Sequence, residues 1–330
     1  MHPMIKAKCG RSKGICLAVA AAATLLAAPS VSAPVAEDTD EIGLDFHFPD
    51  WKTVPIVDHD LGGGVHMLES FGGNMGVIAG GDAVFVVDAE YPQLTQRIRA
   101  IIARISPKPV RFVVNTHYHW DHVGADGNWA RGGATIVSSK ETRDHIWDIQ
   151  AATGNAPGPY QRDTAGVPTL TTGEKMSFHI GSETVEVTHL PPTHTDGDLL
   201  IHFVHADVIQ TGDAFFKGFY PDIDIDHGGS IDGMIAMCDR LYAMAGPNTK
   251  IIPGHGEVAR REDARIYGDM LRTVRARVAR GIAEGKTVKQ LIAEHPLADL
   301  DPQFGSNLVK APYLISIVYK DLARKHAASD

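Results

Sequence analysis

The feature that most constrains this chain is the hexapeptide His117-Tyr118-His119-Trp120-Asp121-His122, which begins just after an apolar stretch at 110–115. Histidine accounts for 17 of the 330 residues, so three imidazoles and a carboxylate within six positions is far from a random draw. His117 and His119, two apart on an extended segment, point the same way. Asp121 and His122 follow on the next turn and can address a second point nearby. Spacing this short pins several donors at little cost in chain entropy. Nitrogen and oxygen donors converging at about 2 Å are what zinc takes in tetrahedral or five-coordinate geometry. The competing reading is a solvent-facing histidine cluster.

Three other segments end in the same manner, each an apolar strand pattern followed by a turn with a candidate ligand. Residues 185–190 lead to Pro191-Pro192-Thr193-His194, 208–211 to Gly212-Asp213, and 251–253 to Gly254-His255-Gly256. Strand ends are the positions a sheet scaffold can converge on one crevice. Periodicity supplies the scaffold. A strand pattern starts at 65–68, and 74–79 with 83–87 reads as a hairpin turning at 80–82. Leu94, Ile98, Ile101, Ile102 and Ile105 lie at helical spacing before Pro107. Further helices are expected around 125–131, 140–149, 231–244 and 260–283, with two amphipathic stretches at 288–294 and 308–323. Strands are expected at 135–138, 176–180, 183–188, 198–204, 208–211 and 250–253. Residues 151–173 read as a loop over a site. Strand clusters in each half followed by helices suit an α/β/β/α four-layer sandwich.

In their order, these four segments resemble the metallo-β-lactamase superfamily, whose members carry H-x-H-x-D-H, then a lone His, a lone Asp and a lone His. The resemblance runs from about residue 65 to 283. It implies two zinc ions per chain. His117, His119 and His194 resemble the ligands of the first metal, Asp121, His122 and His255 those of the second, and Asp213 the carboxylate bridging both. It also implies a metal-bridged hydroxide as nucleophile, with Asp121 orienting it as the catalytic residue. His122 directly after Asp121 is similar to glyoxalase-II-like enzymes, lactonases and one subgroup of β-lactamases. Asp213 is similar to the thioester and lactone hydrolases, where the best-known β-lactamases carry Cys or Ser. Flavodiiron proteins have Glu where this chain has His119, which disfavours a di-iron oxygen reductase. The leading expectation is hydrolysis of a β-lactam-type cyclic amide with broad substrate range. Lactone, ester or thioester hydrolysis stands nearly level, and a non-catalytic or redox metal-binding protein of the periplasm is the rival of another class.

The chain's start bears on where this happens. Lys6, Lys8, Arg11 and Lys13 precede an apolar run at 15–28 and the small residues Val31-Ser32-Ala33, the pattern of a cleaved signal peptide. The expected organisation is a signal segment at 1–33, an extension at 34–60 and the catalytic domain at 61–330. A periplasmic or secreted location follows, without a lasting membrane anchor. Removing that segment takes four of the 31 basic residues and none of the 40 acidic ones, leaving 27 basic and a formal charge of −13. Such a surface repels polyanions, so the expected partner is a small molecule and not nucleic acid. Cys238 alone of the three cysteines remains, in an apolar helical stretch, and reads as a small buried hydrophobe.

For the substrate side, Phe71 on a Gly-flanked tip is expected as an apolar flap and Trp120 as a wall of the cleft. Lys217 and Tyr220 are expected to hold a substrate carboxylate or oxyanion. His66, His189, His202 and His205 read as satisfied or strand-end residues, and His227 as a loop residue within reach of the pocket.

Overall fold

The structure is a computed structural model that describes residues 47–81, 83–152 and 163–327. The expected signal segment 1–33 lies outside the described residues, as do 34–46 and the middle of the loop expected at 151–173. Alternation along the strands sorts side chains into three apolar layers. In β4 (Ala83–Val87), Val84 and Val86 face one layer while Phe85 and Val87 face another. Leu199, Ile201 and Phe203 of β10 (Leu199–Phe203) join Phe85 in the central layer, and Leu200 points to the third. Successive strand residues point to opposite faces, so two sheets share the middle layer and each needs helices on its outer face.

Seven strands make the first sheet, in the order β1 (Val57–Asp60), β2 (Val65–Glu69), β3 (Met75–Gly80), β4, β5 (Val110–Val114), β6 (Thr135–Ser139) and β7 (Leu170–Thr172). The first four are antiparallel and β4 to β7 run parallel. The second sheet has the order β12 (Lys250–Ile252), β11 (Val208–Gln210), β10, β9 (Glu183–His189), β8 (Lys175–Ile180), with β11 and β12 parallel. Helix α1 (Thr95–Ile105) covers the first sheet through Ile98, Ile101 and Ile102. Over the second lie α5 (Ile231–Met244), α6 (Arg261–Ala283) and α9 (Ala311–Ala327). The short helices α2 (Trp120–Val123), α3 (Asp126–Arg131), α7 (Val288–Ala293) and α8 (Asp301–Phe304), with α4 (Lys140–Ala152), complete the set. The expected four-layer sandwich is what forms.

Two edges differ from the reading of the sequence. Strand β1 pairs with β2 from Val57↔Glu69 to Asp60↔His66, so the sheet begins before residue 61 and the expected boundary moves. Strand β7 lies inside the expected loop and pairs with β6 from Val137↔Leu170 to Ser139↔Thr172. Both are short outer strands with little apolar alternation. The ladder, and not a buried face, makes them strands, and the polar run Asp58, His59 and Asp60 suits an edge. At the other end, α9 sends Leu314, Ile315, Val318 and Leu322 into the helix layer, so it caps the core. Among the described residues no helix is long and apolar enough to cross a membrane.

Phe85 ties the sheets together, its ring 4.9 Å from Phe178 and 6.4 Å from Phe203. Phe85→Ala is expected to lower stability by about 3–5 kcal/mol, read from urea unfolding midpoints, since the cavity would open between two rigid sheets.

Candidate metal centre

The candidate ligands follow strands that end at one rim of the sandwich. β5 runs into His117, the β9–β10 turn carries His194, β11 runs into Asp213, and β12 into His255. Hydrogen bonds cross between these ends. Leu199 N donates to Thr116 O at 2.8 Å, and Gly254 N to Phe215 O at 3.0 Å. The Asn74 amide donates to Pro253 O at 3.0 Å and Gly256 O at 2.8 Å, holding the His255 turn against the first sheet. Close approach is required at Gly254, where a Cβ would stand 2.0 Å from Asp213 Oδ1, and at Gly73, where it would meet the His122 ring at 2.1 Å.

His117, His119, His194 and Asp213 bring one ligand atom each within 4.8 Å of one another, as do Asp121, His122 and His255. Asp213 lies between the groups. Its Oδ1 is 3.0 Å from His122 Nε2, and its Oδ2 is 3.5 Å from His255 Nε2 and 3.7 Å from both His117 Nε2 and His194 Nε2. Asp121 Oδ2 is 3.2 Å from His255 Nε2 and 3.6 Å from His122 Nε2.

Outer partners fix which nitrogen of each ring is a bare acceptor. Asp88 Oδ2 accepts from the Thr116 hydroxyl at 2.9 Å and from His122 Nδ1 at 2.9 Å. The Thr116 hydroxyl has only that one proton to give, so toward His117 Nδ1, 3.0 Å away, it accepts. His194 Nδ1 donates to Asp222 O at 3.0 Å, and His119 Nε2 to Asp224 Oδ2 at 3.2 Å. Those bonds occupy the outer nitrogens, so Nε2 of His117, His122 and His194 and Nδ1 of His119 are the atoms turned on the centre. His117 Nε2, His122 Nε2 and Asp213 Oδ1 are buried with no well-directed hydrogen bond, and His119 Nδ1 stands 2.9 Å from His194 Nε2. Ring nitrogens and carboxylate oxygens crowded this closely in a buried site are costly unless protons or a cation sit among them. The donor set fits divalent metal.

Electrostatics agree. Burial alone would raise the Asp213 carboxyl, but the imidazoles of His122, His255 and His117 outweigh it and hold the group well below the usual carboxylate range. Asp121 is brought to about 2 by His122 and His255 against burial. Burial works against charge on His122 too, yet Asp213, Asp121 and Asp88 lift it well above its ordinary value. His255 is lifted to about 10 against burial, chiefly by Asp213 and Asp121. The first ligand, His117, is pushed well below its ordinary value by burial and by His122.

Asp88 and Asp224 were missed by sequence reasoning, although Asp88 ends the apolar run Val84–Val87 as the other candidates end theirs. Asp88 and Glu90 adopt φ of 64° and 61°, a left-handed backbone uncommon for such residues and concentrated here at the site. Glu90 accepts from Gly72 N at 2.9 Å and Tyr91 N at 2.9 Å, which anchors the loop carrying Phe71.

A cleft of about 700 Å³ opens over His119, Asp121, Asp213 and His255. Phe71, Trp120 and Tyr220 line it. Tyr220 offers its ring, while its hydroxyl donates to Asp301 Oδ1 at 3.0 Å. The expectation for Lys217 is corrected. It is not a lining residue; its ammonium donates to Val258 O at 2.8 Å and lies 3.7 Å from Asp263, drawn off by the turn after Asp213. His66, His202 and His205 pair with Asp58, Glu186 and Glu183 away from the centre, and His189 Nε2 contacts Asp196 O at 2.9 Å. His227 bonds Asp224 and Tyr118, so it reaches the His119 support and not the cleft. Cys238 is buried, and desolvation pushes its thiol up to about 12.

Residues 68–272 match the family model of the metallo-beta-lactamase superfamily. A hydroxyacylglutathione hydrolase of Pelagibacter ubique is 24% identical over 109 residues, 33% of this chain and 37% of that protein. The alpha subunit of a 2,4-dinitroanisole O-demethylase from a Nocardioides species is 26% identical over 144 residues, 43% of this chain and 40% of that one. The chain thus spans less than half the length of these curated relatives. Among solved structures, a metallo-beta-lactamase from Pontibacter korlensis superposes with a TM-score of 0.56 at 16% identity, covering 66% of this chain and 99% of that one. A sec-alkylsulfatase from Pseudomonas sp. gives 0.64 at 15% identity, covering 83% and 52%. At such identities the structures speak for the fold alone.

Two outcomes are expected. Asp88→Asn, which puts an amide where two donors converge, weakens zinc affinity by about 10–100-fold in a chelator competition. Because the neighbouring carboxylates lift His255 to about 10 and His122 well above its ordinary value, both favour the protonated form that ligation must undo, so zinc binding is expected to release protons, read as a buffer-dependent heat in titration calorimetry.

Proposed function

The chain belongs to the metallo-beta-lactamase superfamily, and from that premise we propose that it is an exported two-zinc hydrolase of small carbonyl compounds of the ester type: esters, lactones or thioesters. The observation that carries this reading is Asp213, a single carboxylate within reach of imidazoles from both ligand groups. His117, His119 and His194 would hold one zinc, Asp121, His122 and His255 the other, and Asp213 both. Bound there, zinc supplies Lewis acidity toward a carbonyl oxygen and lowers the pKa of water from about 15.7 toward 7.

The chain's own groups do the positioning. Asp121, ionised at neutral pH and lining the cleft, can accept a proton-bearing contact from the attacking water at its carboxylate and so orient it. Asp224 holds His119 so that Nδ1 faces inward, and Asp88 does the same for Nε2 of His122. Trp120 and Phe71 wall the cleft.

β-Lactam hydrolysis is the second reading, favoured by His122 next to Asp121, a pairing similar to one β-lactamase subgroup. Against it as the leading reading, the described residues lining the cleft include no lysine or arginine to hold a β-lactam carboxylate. A metal-binding protein without hydrolytic activity is the reading of another class.

The test is a panel assayed on the zinc-loaded chain: an aryl ester, a γ-lactone, a glutathione thioester, a chromogenic cephalosporin and an aryl phosphodiester. Chelator-sensitive turnover led by the first three is expected. A cephalosporin turned over faster than these returns the β-lactam reading, and inertness to all with full zinc returns the non-hydrolytic one. Asp121→Ala and His119→Ala are each expected to lower kcat by about a hundredfold or more. Near-wild-type turnover at full metal occupancy in either variant would sink the assignment.

A further inference from the structure

Nothing so far says what the rest of the substrate looks like. Part of the cleft's wall comes from residues 47–51, ahead of β1 and outside the residues 68–272 that match the family model. Phe48 lines the cleft beside Phe71 and Tyr91, and Trp51 backs all three. Its ring is 5.7 Å from Phe48, 5.8 Å from Phe71 at 90°, and 4.9 Å from Tyr91. Phe48 and Tyr91 meet edge to face at 5.9 Å. Trp51 is tied to the body by Arg97 Nη1, which donates to its carbonyl at 3.0 Å. Phe216, Phe219, Leu308 and Val309 also line the cleft. Among the described lining residues the only basic side chains are imidazoles, His47, His119 and His255.

An arm of the substrate lying away from the metal ligands therefore meets mostly aromatic and aliphatic side chains, with His47 and Asn307 as the polar exceptions. Ring faces carry the negative side of the aromatic quadrupole, so they repel an anion and accept the edge of another ring. A carboxylate placed there loses water and, among the described lining residues, meets no lysine or arginine in return. An apolar ring placed there gains burial and edge-to-face contacts.

We propose that the cleft selects substrates whose non-reacting arm is uncharged and aromatic, seated against Phe48, Phe71 and Tyr91, with Trp51 as the positioning residue behind them. This rests on the ester-hydrolase reading, and the test separates the two. Three matched esters are compared on the zinc-loaded chain: methyl 4-phenylbutanoate, and the same ester carrying a para-carboxylate or a para-trimethylammonium group.

The neutral ester is expected to lead the carboxylated one in kcat/KM by about tenfold or more, the discrimination that a well-fitted apolar pocket gives. In Phe48→Ala that ratio is expected to fall toward one, and in Phe48→Lys to invert. Phe48 is 42% exposed, so both variants are expected to fold, checked by circular dichroism. The corresponding N-methyl amides, whose binding is followed by ligand-observed NMR with and without zinc, give the same ranking independently of turnover. Equal or better handling of the carboxylated twin overturns the proposal, as does a trimethylammonium twin that outruns the neutral ester, which would point to a cation-binding wall. So does an unchanged ratio in folded Phe48→Ala. Absence of chelator-sensitive turnover of all three esters counts instead against the ester-hydrolase reading, and the amide ranking then still decides the wall.

Discussion

One carboxylate organises the centre. Asp213 is buried within 3.0–3.7 Å of four imidazole nitrogens, and it stays ionised because those rings outweigh the cost of its burial. The same crowding makes the arrangement costly unless protons or a cation sit among the converging nitrogens and oxygens. Asp88, Asp224 and the Asp222 carbonyl, with the Thr116 hydroxyl, enforce that convergence by occupying the outer nitrogens of His122, His119, His194 and His117. The metal-binding property therefore belongs as much to these outer acceptors as to the ligands.

Such a cluster survives because the sandwich around it is rigid. Strands from two sheets end at one rim, and the central layer of Phe85, Phe203, Val187 and Ile201 fixes how far apart the rims lie. Asn74 and Gln210 then cross-link the rims by hydrogen bonds, and Gly73 and Gly254 allow backbone to approach ligands where a methyl group would collide. Chemistry sits on short turns, held in place by the strands behind them.

Much of this could be read from the chain. His117 to His122, His194, Asp213 and His255 stood out because each follows an apolar strand pattern, and periodicity located most strands and helices. Asp88 obeyed the same rule and was overlooked, since a lone Asp after Val87 has no motif around it. Lys217 misled for the opposite reason: nearness in sequence to Asp213 suggested nearness to substrate, but the turn carries its ammonium to Val258 O. The aromatic wall was also beyond reach, because Phe48, Trp51, Phe71 and Tyr91 come from separate segments whose meeting no local pattern encodes.

By itself, then, the sequence determined the kind of centre and the kind of fold. Donor chemistry and strand periodicity are local properties, written in spacings of a few residues. Tertiary structure decided which nitrogen each histidine turns inward, where the sheet edges lie, and which side chains wall the cleft. Each of these depends on contacts between residues distant in the chain, set by how two twisted sheets pack and not by any short stretch of it.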